Sequence, residues 1–341
     1  MGATRRSFLE AAVSMGVTPL GLSAMTMMPR AAWPAVDSND IVGLFDDLPG
    51  DKGIKIFAPA VSGKPQFLLE LNSSKRLFVG SAIKTFILAE ALRQAEATNL
   101  VQTITETQLP LDASVWSVSS DVFNPPNVIG MVSERTALEA MISHSDNTAT
   151  DMSLKLVGPD NVRKFIASAG LKNTLIPDST RALFAYIGGA KNYKTITWEE
   201  LLIVVSTFSS GVVNSPFNTV ETMASTADEM VSHYSRALQG RFFRRSETLN
   251  EFRRIHTMAD AIWGVPLPLG VSAFAKGGSI DVPGFHCLSI PGGMFFEDRW
   301  LFFAITLNWY APEEQDPKTA AAFIATVRQA LTLVKELLQT C

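Results

Sequence analysis

The sequence predicts an α+β protein in which a five-stranded sheet is layered between helices, in α/β/α order, with an all-helical lobe beside it. Three observations lead there. Short strand-like runs lie near both ends of the chain, the long middle reads as helix after helix, and the chain closes on one long amphipathic pattern. Strands from both ends share one sheet only if the ends meet. The helical middle then becomes a separate lobe, and a cleft between lobes is a common place for a site.

In order, residues 53–60 and 66–71 are strand-like and are parted by Ser62-Gly63-Lys64-Pro65, a turn signal, so they form a hairpin. From Ser81 to about Thr98, Ile83, Phe86, Ile87, Ala91 and Leu92 recur at helical spacing. Further helices follow at Thr136–Ser143 and Asn147–Val157, and after the Gly158-Pro159 break at Asp160–Ala169. Thr197 with Glu200 three residues on is a capping-box pattern. Residues 271–275, 285–290 and 300–309 are the later strands, and Asp316-Pro317 caps a terminal helix reaching about Leu338. The sheet lobe is thus expected over 45–75 and 270–341 and the helical lobe over 80–265, within one domain over 40–341.

The chain has 341 residues, 47% hydrophobic and 18% charged, which is ample for a large core. A net charge of −4 without long runs of one sign argues against a nucleic-acid surface. Cys287 and Cys341 are too few for a disulfide framework, although one bridge between them stays open. The four histidines (His144, His233, His256, His286) are scattered, so neither a zinc site nor a cofactor is expected. At the N-terminus, Arg5-Arg6 precedes Phe8-Leu9 and a moderately apolar stretch from Ala11 to Met28. That pattern predicts a twin-arginine export signal over residues 1–35, a periplasmic or secreted protein, and membrane contact only through that signal. A monomer or weak oligomer is expected.

Three short motifs carry chemistry. Ser81-Ala82-Ile83-Lys84 opens a helix and sets a serine and a lysine one turn apart on one face. A neutral lysine there can take the serine proton and generate a nucleophile. Such pairs are common on surfaces, but here Phe78-Val79-Gly80 and Thr85-Phe86-Ile87-Leu88 flank it, and polar groups inside an apolar run need a partner. Ser145-Asp146-Asn147 lies between two apolar helices, where all three residues also suit a helix N-cap. Lys276-Gly277-Gly278-Ser279 follows a strand-like run; glycines there let another backbone approach closely, and the lysine can hold a carboxylate, though an ordinary turn reads the same way.

Taken in order, these motifs resemble the Ser-x-x-Lys, Ser-Asp-Asn and Lys-Thr-Gly signatures of class A β-lactamases and penicillin-binding proteins. The likeness extends through Asp146-Asn147-Thr148-Ala149-Thr150, Gly158-Pro159 and the Phe165–Gly170 stretch, and covers about residues 45–340. It implies an antiparallel sheet of the β-lactamase/transpeptidase type. It also implies roles: Ser81 as the acylated nucleophile, Lys84 as its base or proton relay, Ser145 as proton relay to the leaving group, and Asn147, Lys276 and Gly278 as substrate contacts. The backbone N–H groups of Ser81 and Ser279 would form the oxyanion hole.

Two departures follow from the comparison. Gly277 stands where the family usually carries a hydroxyl. The segment matching the omega loop, Thr174 to Phe184, holds no glutamate to activate a deacylating water, and Thr180 takes that position. Asp178 and Arg181 are expected to form an ion pair that shapes this loop. The pattern is similar to atypical β-lactamase-like proteins, including one of clavulanic-acid biosynthesis. The expected function is a serine hydrolase acting on a small-molecule ester, amide or β-lactam carbonyl. A β-lactamase with non-standard deacylation, a D-Ala-D-Ala peptidase, and a non-catalytic β-lactam or peptidoglycan binder are the alternatives.

Overall fold

The computed structural model describes residues 38–265 and 267–340; the expected export segment and Cys341 lie outside the described residues. A short helix α1 (Ser38–Gly43) leads into the hairpin β1 (Asp51–Ala58) and β2 (Phe67–Leu71). β3 (Leu77–Phe78) and a 3₁₀ turn (Gly80–Ile83) run into α2 (Lys84–Ala95). The helical stretch holds α3 (Leu100–Glu106), the small ladder β4 (Gln108–Leu111) with β5 (Gly130–Ser133), α4 (Glu134–Ser143), α5 (Asn147–Val157), α6 (Pro159–Ser168), α7 (Thr180–Ile187) and α8 (Trp198–Ser206). After β6 (Ala224–Ser225) come α9 (Ala227–Ala237), α10 (Ser246–His256) and α11 (Asp260–Gly264). The chain ends with β7 (Ser272–Ala275), β8 (Gly278–Val282), β9 (Phe285–Phe296), β10 (Arg299–Trp309) and α12 (Pro317–Thr340).

The main sheet runs β2-β1-β10-β9-β7, with β8 also on β9, and every pairing is antiparallel. β7 and β8 are halves of one strand, because the register does not change between them: Ala275 lies opposite Gly292 and Gly278 opposite Ser289. The ladder continues through the gap, where Lys276 N donates to Pro291 O at 3.3 Å. The sheet is therefore five strands wide, as expected, with its edge strand interrupted only at Lys276-Gly277.

Period-two alternation divides the core. On β10, Leu301, Phe303, Ile305, Leu307 and Trp309 face the layer of α1 and α12, which buries Phe323, Ile324, Val327 and Leu331 against them. Phe302 and Ala304 face the other way, into the core shared with the helices. Both faces of the strand are covered, which is why its sequence is an almost unbroken apolar run. On that second face α9 packs against β1, β9 and β10. α2 runs through the middle of the helical core, and every residue from Ala82 to Leu92 is buried. Most of these residues are apolar, and the buried Lys84, Thr85 and Glu90 among them each have polar partners. The capping box at Thr197 and Glu200 is present, and Asp316 Oδ1 accepts from Thr319 N at 3.1 Å to start α12. No described helix is long and apolar enough to cross a membrane.

Candidate active site

The three motifs meet. Ser81, Ser145, Asn147, Lys276, Gly278 and Ser279 line one narrow cleft between the edge strand and the helices, with about 60 Å³ of space for water. Lys84 lies beneath its floor, fully buried. The turn that carries Ser81 is 3₁₀ rather than α-helical, and in such a turn side chains three apart eclipse one another, so Ser81 stands directly over Lys84.

The turn is held by the broken edge strand. Gly80 has φ +54°, and a Cβ on it would lie 2.8 Å from Ser279 N. A Cβ on Gly278 would collide with the Val79 carbonyl and lie 2.6 Å from Ala82 N and 2.8 Å from Ser81 N. Glycine at both positions lets the two backbones touch. The N–H-bearing backbones of Ser81 and Ser279 are thereby brought to the same point of the cleft. Cys287, buried on β9, donates its thiol to the Phe78 carbonyl at 3.0 Å, and Asn308 bonds both Phe78 N (2.9 Å) and Phe78 O (2.8 Å). These contacts anchor the chain just before the turn.

Lys84 Nζ donates to Ser145 O at 2.7 Å and Asn147 Oδ1 at 2.8 Å, and reaches Ser145 Oγ at 3.3 Å. Among the described residues Lys84 Nζ has no hydrogen bond to Ser81 Oγ, although Ser81 and Ser145 line the same cleft. Burial pushes the Lys84 pKa well below the ordinary lysine value, and the positive charge of Lys276 adds to the shift; Asp146, Asp260 and Asp151 oppose it only in part. A buried lysine so depressed is available as a neutral base.

The N-cap reading of Ser145-Asp146-Asn147 holds for one residue of the three. Asp146 Oδ1 accepts from Ala149 N at 2.9 Å, while Oδ2 accepts from Val122 N (3.0 Å) and Phe123 N (3.1 Å). It caps α5 and staples the 120–123 loop to it. That frees its neighbours for the cleft. Ser145 has φ +55°, a left-handed conformation rare outside glycine, and this turns its carbonyl and its hydroxyl together toward Lys84. Asn147 Nδ2 donates to Val118 O at 2.9 Å, which fixes the amide and places Ser119, also left-handed at φ +60°, on the cleft wall.

The residue after Lys84, Thr85, ties α2 to two neighbouring helices. Its hydroxyl lies 3.0 Å from both His233 Nε2 on α9 and His256 Nε2 on α10. His256 Nδ1 donates to the Phe252 carbonyl at 2.9 Å, so its Nε2 accepts from Thr85 and the hydroxyl oxygen in turn accepts from His233. Both rings are held neutral by burial, His256 with a pKa of about 4.

The loop residues are placed differently from expectation. Thr180 is fully buried. Its backbone N and its hydroxyl both donate to Asp151 Oδ1, at 2.6 and 2.8 Å, and the hydroxyl also bonds Ser117 Oγ at 2.8 Å. Burial raises the Asp151 pKa to about 6 despite these bonds. The expected Asp178–Arg181 pair is corrected: Asp178 pairs with Arg163 (2.6 Å) and Lys194 (2.8 Å). Arg181 donates instead to the carbonyls of Trp116 (2.8 Å from Nε) and Ala113 (2.6 Å from Nη2). Ser179 caps α7 between them, accepting from Ala182 N at 2.9 Å, and the cap sends the two side chains apart. None of Asp178, Thr180 and Arg181 is among the residues lining the cleft around Ser81.

The sequence analysis missed Asp260, whose carboxylate reaches Lys276 Nζ at 3.4 Å and which lines the cleft. No motif surrounds it. It also missed Asp151, for which a signal existed: it lies four residues after Asn147, on the same helix face.

The sequence profile of the β-lactamase enzyme family matches residues 48–245, more than half of the chain. The protein belongs to the β-lactamase enzyme family. Among solved structures, the chain is similar to TLA-3 extended-spectrum β-lactamase (17% identity, 86% of this chain and 98% of that one, TM-score 0.63). It is likewise similar to a β-lactamase from Sphaerobacter thermophilus (18% identity, 86% and 96%, TM-score 0.65) and to PBP-A (15% identity, 89% and 96%, TM-score 0.64). At these identities the likeness establishes the fold. No curated protein matches the sequence significantly.

Proposed function

We propose that this β-lactamase-family protein is a serine hydrolase that works through an acyl-enzyme on Ser81, with an ester or amide as substrate. The observation that carries this reading is the buried Lys84, one turn on from Ser81 and held by Ser145 and Asn147, with its pKa pushed down by burial. Ser81 Oγ attacks the carbonyl carbon while its proton passes through Ser145 to Lys84. The carbonyl oxygen takes up the negative charge against the N–H groups of Ser81 and Ser279, each such donor contributing roughly 10²–10³ in rate. As the carbonyl re-forms, the bond to the leaving oxygen or nitrogen breaks, and Lys84 returns the proton to it through Ser145. Water then attacks the acyl carbon with Lys84 again as base; the bond to Ser81 Oγ breaks, Lys84 returns the proton to that oxygen, and the free acid leaves. Export by the N-terminal signal belongs to the same proposal. The decisive measurement is hydrolysis of p-nitrophenyl acetate and nitrocefin by the wild type and Ser81→Ala; equal rates in the two proteins would overturn it.

The second reading, a β-lactamase that deacylates through Asp178, is weakened because Arg163 and Lys194 hold that carboxylate away from the cleft. With no glutamate at position 180, penicillin is expected to leave a long-lived adduct on Ser81, visible by intact-protein mass spectrometry. Restoring a carboxylate by Thr180→Glu alone sets it against Asp151 and is expected to destabilise the protein. The double variant Thr180→Glu/Asp151→Asn relieves that like-charge contact and is expected to shorten the adduct's lifetime. A double variant whose adduct lasts as long as the wild type's would show that position 180 does not serve deacylation.

A further inference from the structure

Two independent features set the charge that the cleft accepts. The first is Asp260. Lys276 is 1% exposed, and its ammonium is already engaged by Gly277 O at 2.8 Å and the Asp260 carboxylate at 3.4 Å. Gly277 offers no hydroxyl beside it. A substrate carboxylate arriving there finds a compensated lysine and a second negative charge.

The second is an adjoining cavity of about 420 Å³, which shares Ser119 and Phe184 with the Ser81 cleft. Its walls are mixed: Trp198, Leu202, Val205 and Phe208 with Val282-Pro283 supply the apolar part, and several serines with Asn124 supply neutral polar groups. Asp121, Asp281 and Glu314 also line it, with no lysine or arginine. Asp281 is paired with His286 at 3.0 Å. Ser145, the proton donor to the leaving group, lines the cleft and not this cavity, so the substrate arm reaching the cavity is the acyl part.

We infer that the substrate is an ester or amide without a free carboxylate, whose bulky apolar acyl arm ends in a neutral or cationic group, and that Asp260 is the residue that excludes carboxylates from Lys276. This rests on the acyl-enzyme reading above and adds the substrate class to it.

Two arms test it. A p-nitrophenyl ester series compares acetate with 4-phenylbutanoate and with 4-phenylbutanoates bearing a para aminomethyl or a para carboxylate group. The wild type is expected to favour the neutral and aminomethyl esters over the carboxylate by about tenfold in kcat/KM at low salt, less at high salt. Leu202→Trp, which fills the cavity, is expected to lower the phenylbutanoate-to-acetate ratio. Separately, Asp260→Asn is expected to speed penicillin acylation of Ser81 about fivefold or more. Asp260 sits in the first turn of a short helix with its side chain 29% exposed, so the amide variant tests charge without removing a core group. A wild type that prefers the carboxylate ester or treats all three arms alike, or an Asp260→Asn protein acylated at the wild-type rate, would overturn the inference and leave the acyl-enzyme reading standing. If Ser81 turns over no ester and takes no penicillin, the acyl-enzyme reading fails. The arm is then read by thermal shift with the corresponding N-methyl amides: a larger shift with the aminomethyl than with the carboxylate amide supports the inference, and the reverse or equal shifts overturn it.

Discussion

Lys84→Met is expected to lower Ser81-dependent ester turnover by about 10³–10⁴-fold, the loss typical of a general base acting as one unit with its nucleophile. The side chain keeps its volume and its place in the core, so the loss reports chemistry. Stability gives a second, signed readout. The Lys84 pKa is depressed in the folded protein, so between that value and the ordinary lysine value of 10.5 the unfolded chain binds a proton that the native protein does not. Folding therefore gains stability as pH rises through this window, and the gain disappears in Lys84→Met. Denaturant melts of both proteins from neutral pH to about pH 10 measure it. A wild-type curve parallel to the variant's would mean that Lys84 stays charged in the native state, and the proposed base would be lost with it.

Gly278→Ala is expected to be nearly as damaging, for a steric reason. The added Cβ meets the Val79 carbonyl and the backbone nitrogens of Ser81 and Ala82, atoms that cannot turn aside as a flexible side chain would. Either the edge strand or the nucleophile's turn must move. Overpacking of this kind costs about 1–3 kcal/mol, and displacing one oxyanion donor costs roughly 10²–10³ in acylation rate. Labelling of Ser81 with a fluorophosphonate, alongside a thermal melt, separates the two losses. Wild-type labelling by a well-folded Gly278→Ala protein would show that the close approach is unnecessary.

Much of the fold was legible in the sequence because its strands and helices obey simple periods. β10 reads as a continuous apolar run because α12 covers one face and the helical core the other. The order of strands at both ends was enough to place them in one sheet. The site was legible where chemistry depends on local spacing, as in Ser81 with Lys84. What was not legible depended on distance in the chain. Asp260 reaches Lys276 only because α11 lies beside β7, and no local pattern announces it. The partner of Asp178 was misjudged because a nearby arginine looked sufficient, whereas the Ser179 cap divides the two. Similarly, the burial of Thr180 against Asp151 could be known only once α5 and α7 were packed together.

The Thr85–His233–His256 contact gives the fold an acid limit. Both imidazoles are neutral in the native protein, and His256 keeps its depressed pKa only while the core stays dry. As pH falls from about 6.5 toward about 4, the unfolded chain takes up protons that the native rings refuse, so each ring withdraws stability, on the order of 3 kcal/mol for His256. Asp151 and Glu134, whose pKa values burial raises to about 6 and about 7, act in the opposite sense over part of the same range. The difference between wild type and His256→Gln isolates the ring: the wild type's advantage should shrink on acidification, and a constant difference would refute it. Because Thr85 directly follows Lys84, protonation of these rings is expected to loosen the helix turn that carries Lys84, and inactivation at low pH should precede the global loss of helix.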